Sequence, residues 1–375
     1  MIQSVRIQNF RGHTDTTIPL ERFTLLVGEN GVGKTSAMEA MHLLPQMIGT
    51  NPSALFVSSH AVDRLVRSGS VGGLAVLFDG VDDGREWQLG LAMRAHEKTS
   101  SVMEACVEWR VGEKVGKVAA PGPKFDDLFG IIREVPRIVM RSREAMFLRL
   151  DASVLARPER TEEERPRLDE RGGGLANVIA TMLLQDRPRF ERLLAAASAV
   201  IPSLRDIQVR RVPVDRRIER LMIVDGQSVI VPELTKVIAD QVELRFDGTE
   251  WLPADAASEG TLLTLGLLTV LHQERVPKVV YIDDIDRGLH PYAQEKFIAQ
   301  LRAVQAAVGD VQIVATTHSP YLVDAFEPEE VVVLARDKDR VVHARRLSDH
   351  PNKKPLEVLR TGEFWGAEGE AWVVP

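Results

Sequence analysis

Eight residues near the start of the chain, GENGVGKT from Gly28 to Thr35, have the spacing G-x-x-x-x-G-K-[ST]. Glycines at this spacing let a backbone wrap closely around a ligand, and the N–H groups at the start of a following helix attract an anion. Lys34 would reach the terminal phosphates of a nucleotide, and the Thr35 hydroxyl would bind Mg²⁺. The alternative is a glycine-rich turn with an incidental lysine, which fits less well because both the spacing and the flanking pattern match.

The elements predicted around this loop would present it correctly to a phosphate group. An apolar run from Phe23 to Val27 predicts a buried strand, and SAMEAMHLL from Ser36 to Leu44 predicts a helix that begins where the strand ends. The helix dipole favours an anion at that start. The residues expected to bind the nucleotide are Gly28, Glu29, Asn30, Gly31, Val32, Gly33, Lys34, Thr35 and Ser36.

Two acids follow a second apolar run late in the chain. KVVYIDDIDRGLHP, residues 278–291, contains the β-rich run Val279–Ile282, which predicts another buried strand. Such proteins hold magnesium on a carboxylate at the end of a strand beside the phosphate loop, so Asp283 is predicted as a metal ligand together with Thr35. Asp284 would face the γ-phosphate, where a carboxylate can orient or deprotonate the attacking water.

A third strand and a capped helix supply further candidates. In VQIVATTHSP the run Ile313–Ala315 predicts a central strand, and His318 beyond it could donate a hydrogen bond to the γ-phosphate. Taken singly, His318 is more often an ordinary loop histidine, but the two preceding motifs favour the functional interpretation. In ASEGTLLTLGLLTVL, Ser258, Glu259 and Gly260 precede an apolar helix whose free N–H groups could bind an anion. That segment alone favours a plain capped core helix.

The order of GENGVGKT, SEGT, IDDIDRGLHP and TTHSP resembles the ABC-type ATPases of the RecF, SMC and OLD-like group, and the opening VRIQNFRGH resembles their first strand. The chain is most similar to small RecF-like AAA ATPases, in which a segment like LDERGGGLANVIATML precedes the signature. The resemblance implies an α/β fold. This would be an ABC-type ATPase head, a P-loop NTPase with a mixed central sheet, flanking antiparallel strands and a helical lobe.

The same resemblance implies ATP hydrolysis with ATP and Mg²⁺ as cofactors, and it places Arg11 among the nucleotide-binding residues. In this group two heads close on two nucleotides, so Ser258 and Gly260 would contact the γ-phosphate held by Lys34 of a second copy. Relatives commonly act in bacterial DNA repair and anti-phage defence, which adds double-stranded DNA and a nuclease or toxin subunit encoded nearby as candidate partners. The residues that the resemblance assigns to catalysis are Lys34, Asp284 and His318.

Two departures from the group's pattern bear on activity. The acid after Asp283 is usually glutamate, and Asp284 is one methylene shorter. A water misplaced by about 1 Å could cost roughly a hundredfold in rate. Slow hydrolysis is therefore plausible, and a competing hypothesis is a nucleotide-stabilised scaffold with little turnover that holds a nuclease or toxin. The glutamine of the loop that links the two lobes cannot be assigned. A small-molecule kinase fits poorly, because SEGT and TTHSP would have no role.

Composition narrows the class of protein. A chain of 375 residues, 44% of them hydrophobic, can bury a sizeable core. The single Cys106 excludes an intramolecular disulfide and suggests a reducing compartment. No apolar stretch reaches the roughly eighteen residues needed to span a membrane, and no signal-peptide pattern is present. We therefore expect a cytoplasmic protein without membrane contact. A net charge of −7 argues against a general polyanion binder.

Two clusters of arginines leave DNA binding open. Such clusters are usually solvated or paired with nearby acids, whereas the functional interpretation is a basic surface that follows a nucleic-acid backbone when two heads close. Aromatic residues are only 5% of the chain, so backbone contact with a duplex fits better than base stacking. The clusters are Arg133, Arg137, Arg141 and Arg143, and Arg210, Arg211, Arg216, Arg217 and Arg220.

We expect one ABC-type ATPase domain over residues 1–375, built from three consecutive parts. Residues 1–135 would form the N-terminal part of the nucleotide-binding lobe, with the phosphate loop. Residues 136–250 would form the helical lobe. Residues 251–375 would supply the signature, the magnesium carboxylate and the switch histidine.

Local patterns predict the remaining elements. Two strands are expected before the phosphate loop, and alternating stretches from Gly72 to about Val118 predict antiparallel strands that flank the nucleotide. The charged segment at residues 156–174 is expected to be a solvated linker rather than a lid. The tail with Trp365 and Trp372 is expected to pack on the body rather than to serve as a docking peptide. Further helices and strands are predicted at Leu175–Leu184, Arg189–Val200, Leu221–Val231 and Val242–Phe246.

Overall fold

The computed structural model describes residues 1–48, 50, 55, 62–67, 73–95, 102–121, 136–137, 139–160, 163–224 and 227–375, and the statements below concern those residues. The strands are β1 (Ile2–Phe10), β2 (His13–Pro19), β3 (Phe23–Val27), β4 (Leu74–Asp82), β5 (Arg85–Ala95), β6 (Val102–Val111), β7 (Lys114–Pro121), β8 (Ala145–Leu148), β9 (Leu204–Val224), β10 (Gln227–Phe246), β11 (Trp251–Pro253), β12 (Val279–Ile282), β13 (Gln312–Thr316), β14 (Val331–Arg336) and β15 (Val342–Arg346).

The α-helices are α1 (Lys34–Leu43), α2 (Val62–Leu65), α3 (Ala152–Leu155), α4 (Leu175–Gln185), α5 (Arg187–Val200), α6 (Glu259–His272), α7 (Pro291–Val308), α8 (Pro320–Val323) and α9 (Thr361–Glu368). The chain divides into two compact units. Unit 1 comprises residues 1–147, 277–286 and 307–375, and unit 2 comprises residues 148–276 and 287–306. In the part of the chain that the structure describes, no helix is both long and apolar enough to cross a bilayer.

A six-stranded sheet in the order β15-β14-β3-β13-β12-β8 positions the predicted site. Strands β14, β3, β13 and β12 run parallel, and β15 is antiparallel to β14. Every residue of β3, β12 and β13 is buried, which is why these strands read as continuous apolar runs. The carboxyl ends of parallel strands meet at one edge, so the phosphate loop, Asp283 and His318 leave the sheet there. The mixed central sheet is confirmed.

The second sheet of unit 1 is antiparallel, with six strands in the order β2-β1-β4-β5-β6-β7. In β4, buried and half-buried positions alternate, as expected for a sheet with one face on a core. Asp83 and Gly84 both have positive φ between β4 and β5, the backbone that a tight hairpin requires. The antiparallel strands expected between Gly72 and Val118 are confirmed.

Three strands precede the phosphate loop, so the expectation of two is wrong. Strands β1 and β2 form a hairpin in which Phe10 pairs with His13, and Arg11 adopts a φ of 45° at the turn. Strand β2 reads HTDTTIP, in which polar residues outnumber apolar ones. Its hydrophobic alternation is therefore too weak to identify it as a separate strand.

Unit 2 combines helices with one long hairpin. Helices α4 and α5 confirm the two predicted helices. Strands β9 and β10, of 21 and 20 residues, pair from Leu204 with Phe246 to Val224 with Gln227. The predicted single strand Leu221–Val231 is wrong, because β9 ends and β10 begins within it. Residues 225–226 lie outside the described ones, but their sequence, Asp-Gly, is a strong hairpin signal that the apolar run obscured.

The segment at residues 156–174 is not a fully solvated linker, contrary to expectation. Leu168 is buried, and a carboxylate oxygen of Asp169 accepts a hydrogen bond from the N–H of Gly173 at 2.8 Å. The backbone of Glu159 pairs with β10, and its carboxylate accepts from the N–H that precedes α4. Two acids of the charged run thus bond the backbone that leads into α4, a role that composition does not reveal.

The tail packs on the body of unit 1, as predicted. Phe364 of α9 and Val373 are fully buried. The ring of His350 packs edge-on against the rings of Phe364 and Trp372, with centroids 5.0 and 4.8 Å away. The N–H of Gly362 donates to Asp324 just after α8, at 2.8 Å. The tail therefore packs against the helix that follows His318, and it contacts the end of that helix through Asp324.

Acidic side chains form ion pairs with some of the clustered arginines. Arg141 is almost fully buried and pairs with Asp310. On the long hairpin, Arg210 lies 3.5 Å from Glu243 across the two strands. Of the clustered arginines, Arg133 lies outside the described residues. Arg141 thus forms a structural ion pair with Asp310. Binding of a duplex by the arginines of the hairpin β9–β10 stays a prediction.

Candidate nucleotide site

The phosphate loop joins β3 to α1 through glycines that the backbone requires. Gly28, Gly31 and Gly33 have φ angles of 138°, 74° and 121°, conformations that side-chain-bearing residues rarely adopt. A Cβ on Gly28 would lie 2.3 Å from the carbonyl oxygen of Leu334 on β14. The loop therefore passes so close to the neighbouring strand that only glycine fits.

Lys34 opens α1 and is held across the loop. Its Nζ donates to the carbonyl oxygens of Gly28 and Glu29 at 2.8 and 3.0 Å. Burial lowers the pKa of Lys34, while the nearby carboxylates of Asp284, Asp283 and Glu370 act to raise it. The ammonium is thus already desolvated and fixed at the loop, which suits a group that binds phosphate oxygens.

The predicted metal ligands lie in direct contact. The hydroxyl of Thr35 donates to Oδ1 of Asp283 at 2.8 Å, and the hydroxyl of Thr316 donates to the same oxygen at 2.9 Å. Two oxygens at neighbouring corners of a magnesium octahedron are about 2.9 Å apart for metal–oxygen distances of about 2.05 Å. The hydroxyl and the carboxylate therefore fit Mg²⁺ in both chemistry and separation.

Asp284 and His318 lie exposed at the same edge of the sheet. The backbone N–H of Asp284 donates to the hydroxyl of Thr316 at 2.8 Å, and its φ is 52°. Desolvation raises the pKa of Asp284, as do the charges of Asp283 and Asp286, whereas the charge of His318 lowers it. A carboxylate and an imidazole at an open edge can act on a bound phosphate and its attacking water.

The structure ties Arg11 to the helix that follows the loop. Its guanidinium forms an ion pair with Glu39 of α1, a side chain that is largely buried. Arg11 therefore helps to fix the base of the helix whose start carries the loop. Its contact with a nucleotide stays a prediction.

Ser258, Glu259 and Gly260, here called the signature corner, belong to unit 2. The Ser258 hydroxyl caps α6, as the sequence predicts, and both Ser258 and Glu259 are exposed. A Cβ on Gly260 would lie 2.2 Å from the carbonyl oxygen of Gly288, so the corner packs directly against the loop after the acid strand. Glu259 also pairs with Arg287 of that loop at 3.0 Å. The backbone of the corner is held by this packing, while the side chains of Ser258 and Glu259 remain accessible to a ligand.

Two side chains at the phosphate loop escaped the sequence analysis. His13 is fully buried and its Nε2 lies 3.1 Å from the carbonyl oxygen of Gly33. Burial lowers the pKa of His13 to about 4. Arg336 at the end of β14 donates to the carbonyl oxygen of Gly31 at 2.6 Å. The available signals were weak, since His13 merely ends the opening VRIQNFRGH and Arg336 merely closes the strand VVVLAR.

Comparisons with known proteins agree with this geometry. A family described as "AAA ATPase domain" matches residues 1–64, and a family described as "AAA domain, putative AbiEii toxin, Type IV TA system" matches residues 155–324. The chain is similar to the Septu protein PtuA of Bacillus thuringiensis, with 38% identity over 69 residues, which are 18% of this chain and 17% of PtuA. It is also similar to the DNA double-strand break repair Rad50 ATPase of Methanopyrus kandleri (29% over 214 residues, 55% of this chain and 22% of Rad50).

These matches span only about a fifth of each curated relative's length. Solved structures extend the likeness to the whole fold. An Smc head bound to the C-winged helix domain of ScpA matches with a TM-score of 0.56 and 14% identity, covering 95% of this chain and 99% of that one. An Smc head from Pyrococcus furiosus with an extended coiled coil, bound to the C-terminal domain of ScpA, matches with a TM-score of 0.55, 12% identity and coverages of 95% and 98%.

The fold is thus that of an ABC-type ATPase head, as the order of the motifs implies. The phosphate loop falls within one AAA family match, and the SEGT segment, the paired acids Asp283 and Asp284, and His318 fall within the other. On the motifs, the matches and the fold together, this chain is similar to AAA-type ATPases and has the fold of an Smc head.

Proposed function

We propose that this chain binds Mg²⁺ and ATP on the Gly28–Ser36 loop and hydrolyses ATP as one head of a homodimer. Closure of the two heads would be coupled to engagement of DNA or an effector protein, in DNA repair or anti-phage defence. The observation that carries the nucleotide site is the cluster at the edge of the central sheet, where Lys34 is desolvated and Thr35 contacts Asp283 at 2.8 Å.

Each side chain of this cluster has a definite task. When bound, ATP with its magnesium ion supplies an electrophilic phosphorus and a good leaving group. Lys34 offsets negative charge on the phosphates, and Thr35 with Asp283 holds the metal. Asp284 orients the attacking water or takes its proton. His318 donates a hydrogen bond to the terminal phosphate.

The dimer is supported by the exposed signature corner. Ser258 and Glu259 are open to solvent in the single chain, and the backbone at Gly260 is fixed by its packing on Gly288. A capped helix start offers N–H groups and a favourable dipole to an anion. In the dimer this corner would bind the γ-phosphate held by Lys34 of the second copy, which completes each site in trans.

Mixing two inactive variants tests completion in trans. Lys34→Met removes phosphate binding, and Ser258→Arg blocks the corner with a bulky side chain. In a mixed dimer, one site combines the intact loop of the serine variant with the intact corner of the lysine variant. Mixing should therefore restore ATP turnover, to about a quarter of wild type when half of the dimers are mixed and half of their sites are complete.

Matched controls locate the effect at the two motifs. Lys278→Met removes a lysine paired with Asp310 at the surface, and Ser203→Arg alters an exposed serine of unit 2. Both controls should keep wild-type turnover on their own. Mixtures of Lys34→Met with Ser258→Arg that stay inactive over a wide concentration range would contradict completion in trans.

DNA engagement and the nucleotide-stabilised scaffold are separated by steady-state phosphate release with and without duplex DNA. A DNA-coupled switch should turn over ATP and be stimulated by duplex, whereas the scaffold should show neither. The sequence feature that suggested the scaffold is the aspartate at position 284 in place of glutamate. The similarity to a Rad50 ATPase of double-strand break repair and to a family described as "putative AbiEii toxin" supports the repair and defence settings.

A protein partner is the remaining part of the proposal. The matched Smc heads are bound to domains of ScpA, which supports a head surface that receives a second protein. For this chain, a nuclease or toxin subunit encoded beside it is the candidate. Co-expression of the neighbouring genes followed by copurification with the ATP-loaded Asp284→Ala variant tests it, because a trapped closed dimer should retain the partner best.

A further inference from the structure

The carbonyl side of the phosphate loop is held by side chains from two different strands. Arg336, the last residue of β14, donates through Nη2 to the carbonyl oxygen of Gly31 at 2.6 Å and lies 3.4 Å from that of Val32. His13, the first residue of β2, places Nε2 at 3.1 Å from the carbonyl oxygen of Gly33. Three consecutive carbonyls of the loop thus face protein groups.

His13 is built into this position. It is fully buried, and its Nδ1 lies 3.1 Å from the hydroxyl of Thr16, which also lies 2.8 Å from the carbonyl oxygen of Val342. A carbonyl can only accept a hydrogen bond, so Nε2 of His13 carries the ring proton and donates to Gly33. A Cβ on Gly33 would lie 2.9 Å from this nitrogen, so glycine is also what lets the ring approach.

Holding the carbonyls fixes the direction of the amides. In a planar trans peptide the C=O and the following N–H point to opposite sides. The carbonyl oxygen of Gly33 accepts from the N–H of Ala37 at 2.9 Å as well as from His13, and together these contacts turn the N–H of Lys34 to the other face of the loop. Because Lys34 is the first residue of α1, this N–H has no acceptor within the helix. Arg336 acts in the same way on the preceding peptides, and the N–H of Val32 closes the loop on Glu29 at 3.3 Å.

We propose that His13 and Arg336 are positioning residues for nucleotide binding, which hold the carbonyl face of the loop so that the amides of Gly33 and Lys34 face the phosphates. This role presupposes the nucleotide site proposed above. Amides of this loop type cradle the phosphates that ATP and ADP share, so the two residues should affect binding of both nucleotides. They contact no reacting atom, so the turnover number should change less than the affinity.

Calorimetric titration with Mg·ADP tests this role apart from catalysis. His13→Phe keeps a ring but loses the donor, and affinity should fall by about tenfold, the size expected when a carbonyl loses a buried hydrogen bond. His13→Gln restores an N–H donor and should recover affinity to within about threefold of wild type. Arg336→Met should also weaken binding, and it provides a second variant should His13→Phe fail to fold.

Matched controls exclude general damage. His272→Phe replaces another buried histidine that bonds a backbone carbonyl, at 2.7 Å from Leu268 within α6. Arg346→Met replaces an arginine of β15 that pairs with Glu21 at 2.6 Å. Both controls should bind Mg·ADP like wild type.

Two results would overturn the assignment. One is folded His13→Phe and Arg336→Met variants that bind Mg·ADP as tightly as wild type. The other is a folded His13→Gln variant that binds as weakly as His13→Phe. A wild-type chain that binds neither Mg·ADP nor Mg·ATP would instead overturn the nucleotide site itself, and with it the role of both residues.

Discussion

The buried imidazole of His13 should make this chain lose stability in mild acid. Burial lowers the pKa of His13 from 6.5 to about 4, the hydrogen bond to Gly33 acts against that shift, and the charge of Arg336 adds to it. A difference of about 2.5 units between the unfolded and folded chain corresponds to about 3 kcal/mol of the free energy of unfolding. Replacing His13 with glutamine, which does not titrate, removes this dependence.

The sign of this pH dependence follows from whether the folded or the unfolded chain binds the proton more readily. Below pH 6.5 the unfolded chain protonates His13, whereas the folded chain does so only near pH 4. The contribution of His13 is therefore complete above pH 6.5 and is lost as the pH falls from 6.5 to 4. Relative to pH 7.5, the loss is about 1.3 kcal/mol at pH 5.5 and about 2.5 kcal/mol at pH 4.5.

Urea unfolding without nucleotide, at pH 7.5, 5.5 and 4.5, measures this loss. The difference in unfolding free energy between wild type and His13→Gln should shift by the amounts above, while other titrating groups cancel between the two proteins. Arg336→Met removes the nearby positive charge, so its acid sensitivity should be smaller than that of wild type. A wild-type minus His13→Gln difference that stays constant between pH 7.5 and 5.5 would refute a buried neutral His13.

Three further substitutions probe the site. Lys34→Met should abolish binding of Mg·ATP in calorimetry while leaving the fold intact by circular dichroism, because it removes the desolvated ammonium from the loop. Gly28→Ala should lower the free energy of unfolding in urea by about 1–3 kcal/mol, since a Cβ would meet the carbonyl oxygen of Leu334 at 2.3 Å; an unchanged value would contradict this close approach. Gly260→Ala must push the corner away from Gly288 and should slow phosphate release without changing Mg·ADP affinity; equal turnover would exclude a role for the corner in catalysis.

The central sheet could be predicted because its strands are buried on both faces. Strands β3, β12 and β13 are short, fully buried, mostly apolar and followed by loop residues of distinctive type, so sequence and structure agree within one residue at their ends. The long hairpin β9 and β10 could not be delimited, because charged residues interrupt the apolar pattern of its sequence. Strand β2 was not predicted for a similar reason, because most of its seven residues are polar.

The residues of the candidate site also divide into those that the sequence could predict and those that it could not. The contact between Thr35 and Asp283 joins residues 248 apart in sequence, yet each belongs to a motif of its own, so the contact could be predicted. The contacts of His13 with Gly33 and of Arg336 with Gly31 span 20 and 305 positions, and no local pattern links either side chain to the phosphate loop. Such supporting residues are found only when the strands that carry them are placed in three dimensions.

The aspartate at position 284 has a structural cause besides its effect on rate. Its φ of 52° lies in the left-handed region, where Asp and Asn are several-fold enriched because a short polar side chain can bond locally. The hydrogen bond from its N–H to Thr316 fixes that turn at 2.8 Å. A glutamate would gain a methylene toward the attacking water but would sit less favourably in this backbone conformation. The shorter acid is therefore accounted for by the turn, and its presence alone does not favour a scaffold over a switch. Turnover with and without duplex DNA decides between the two.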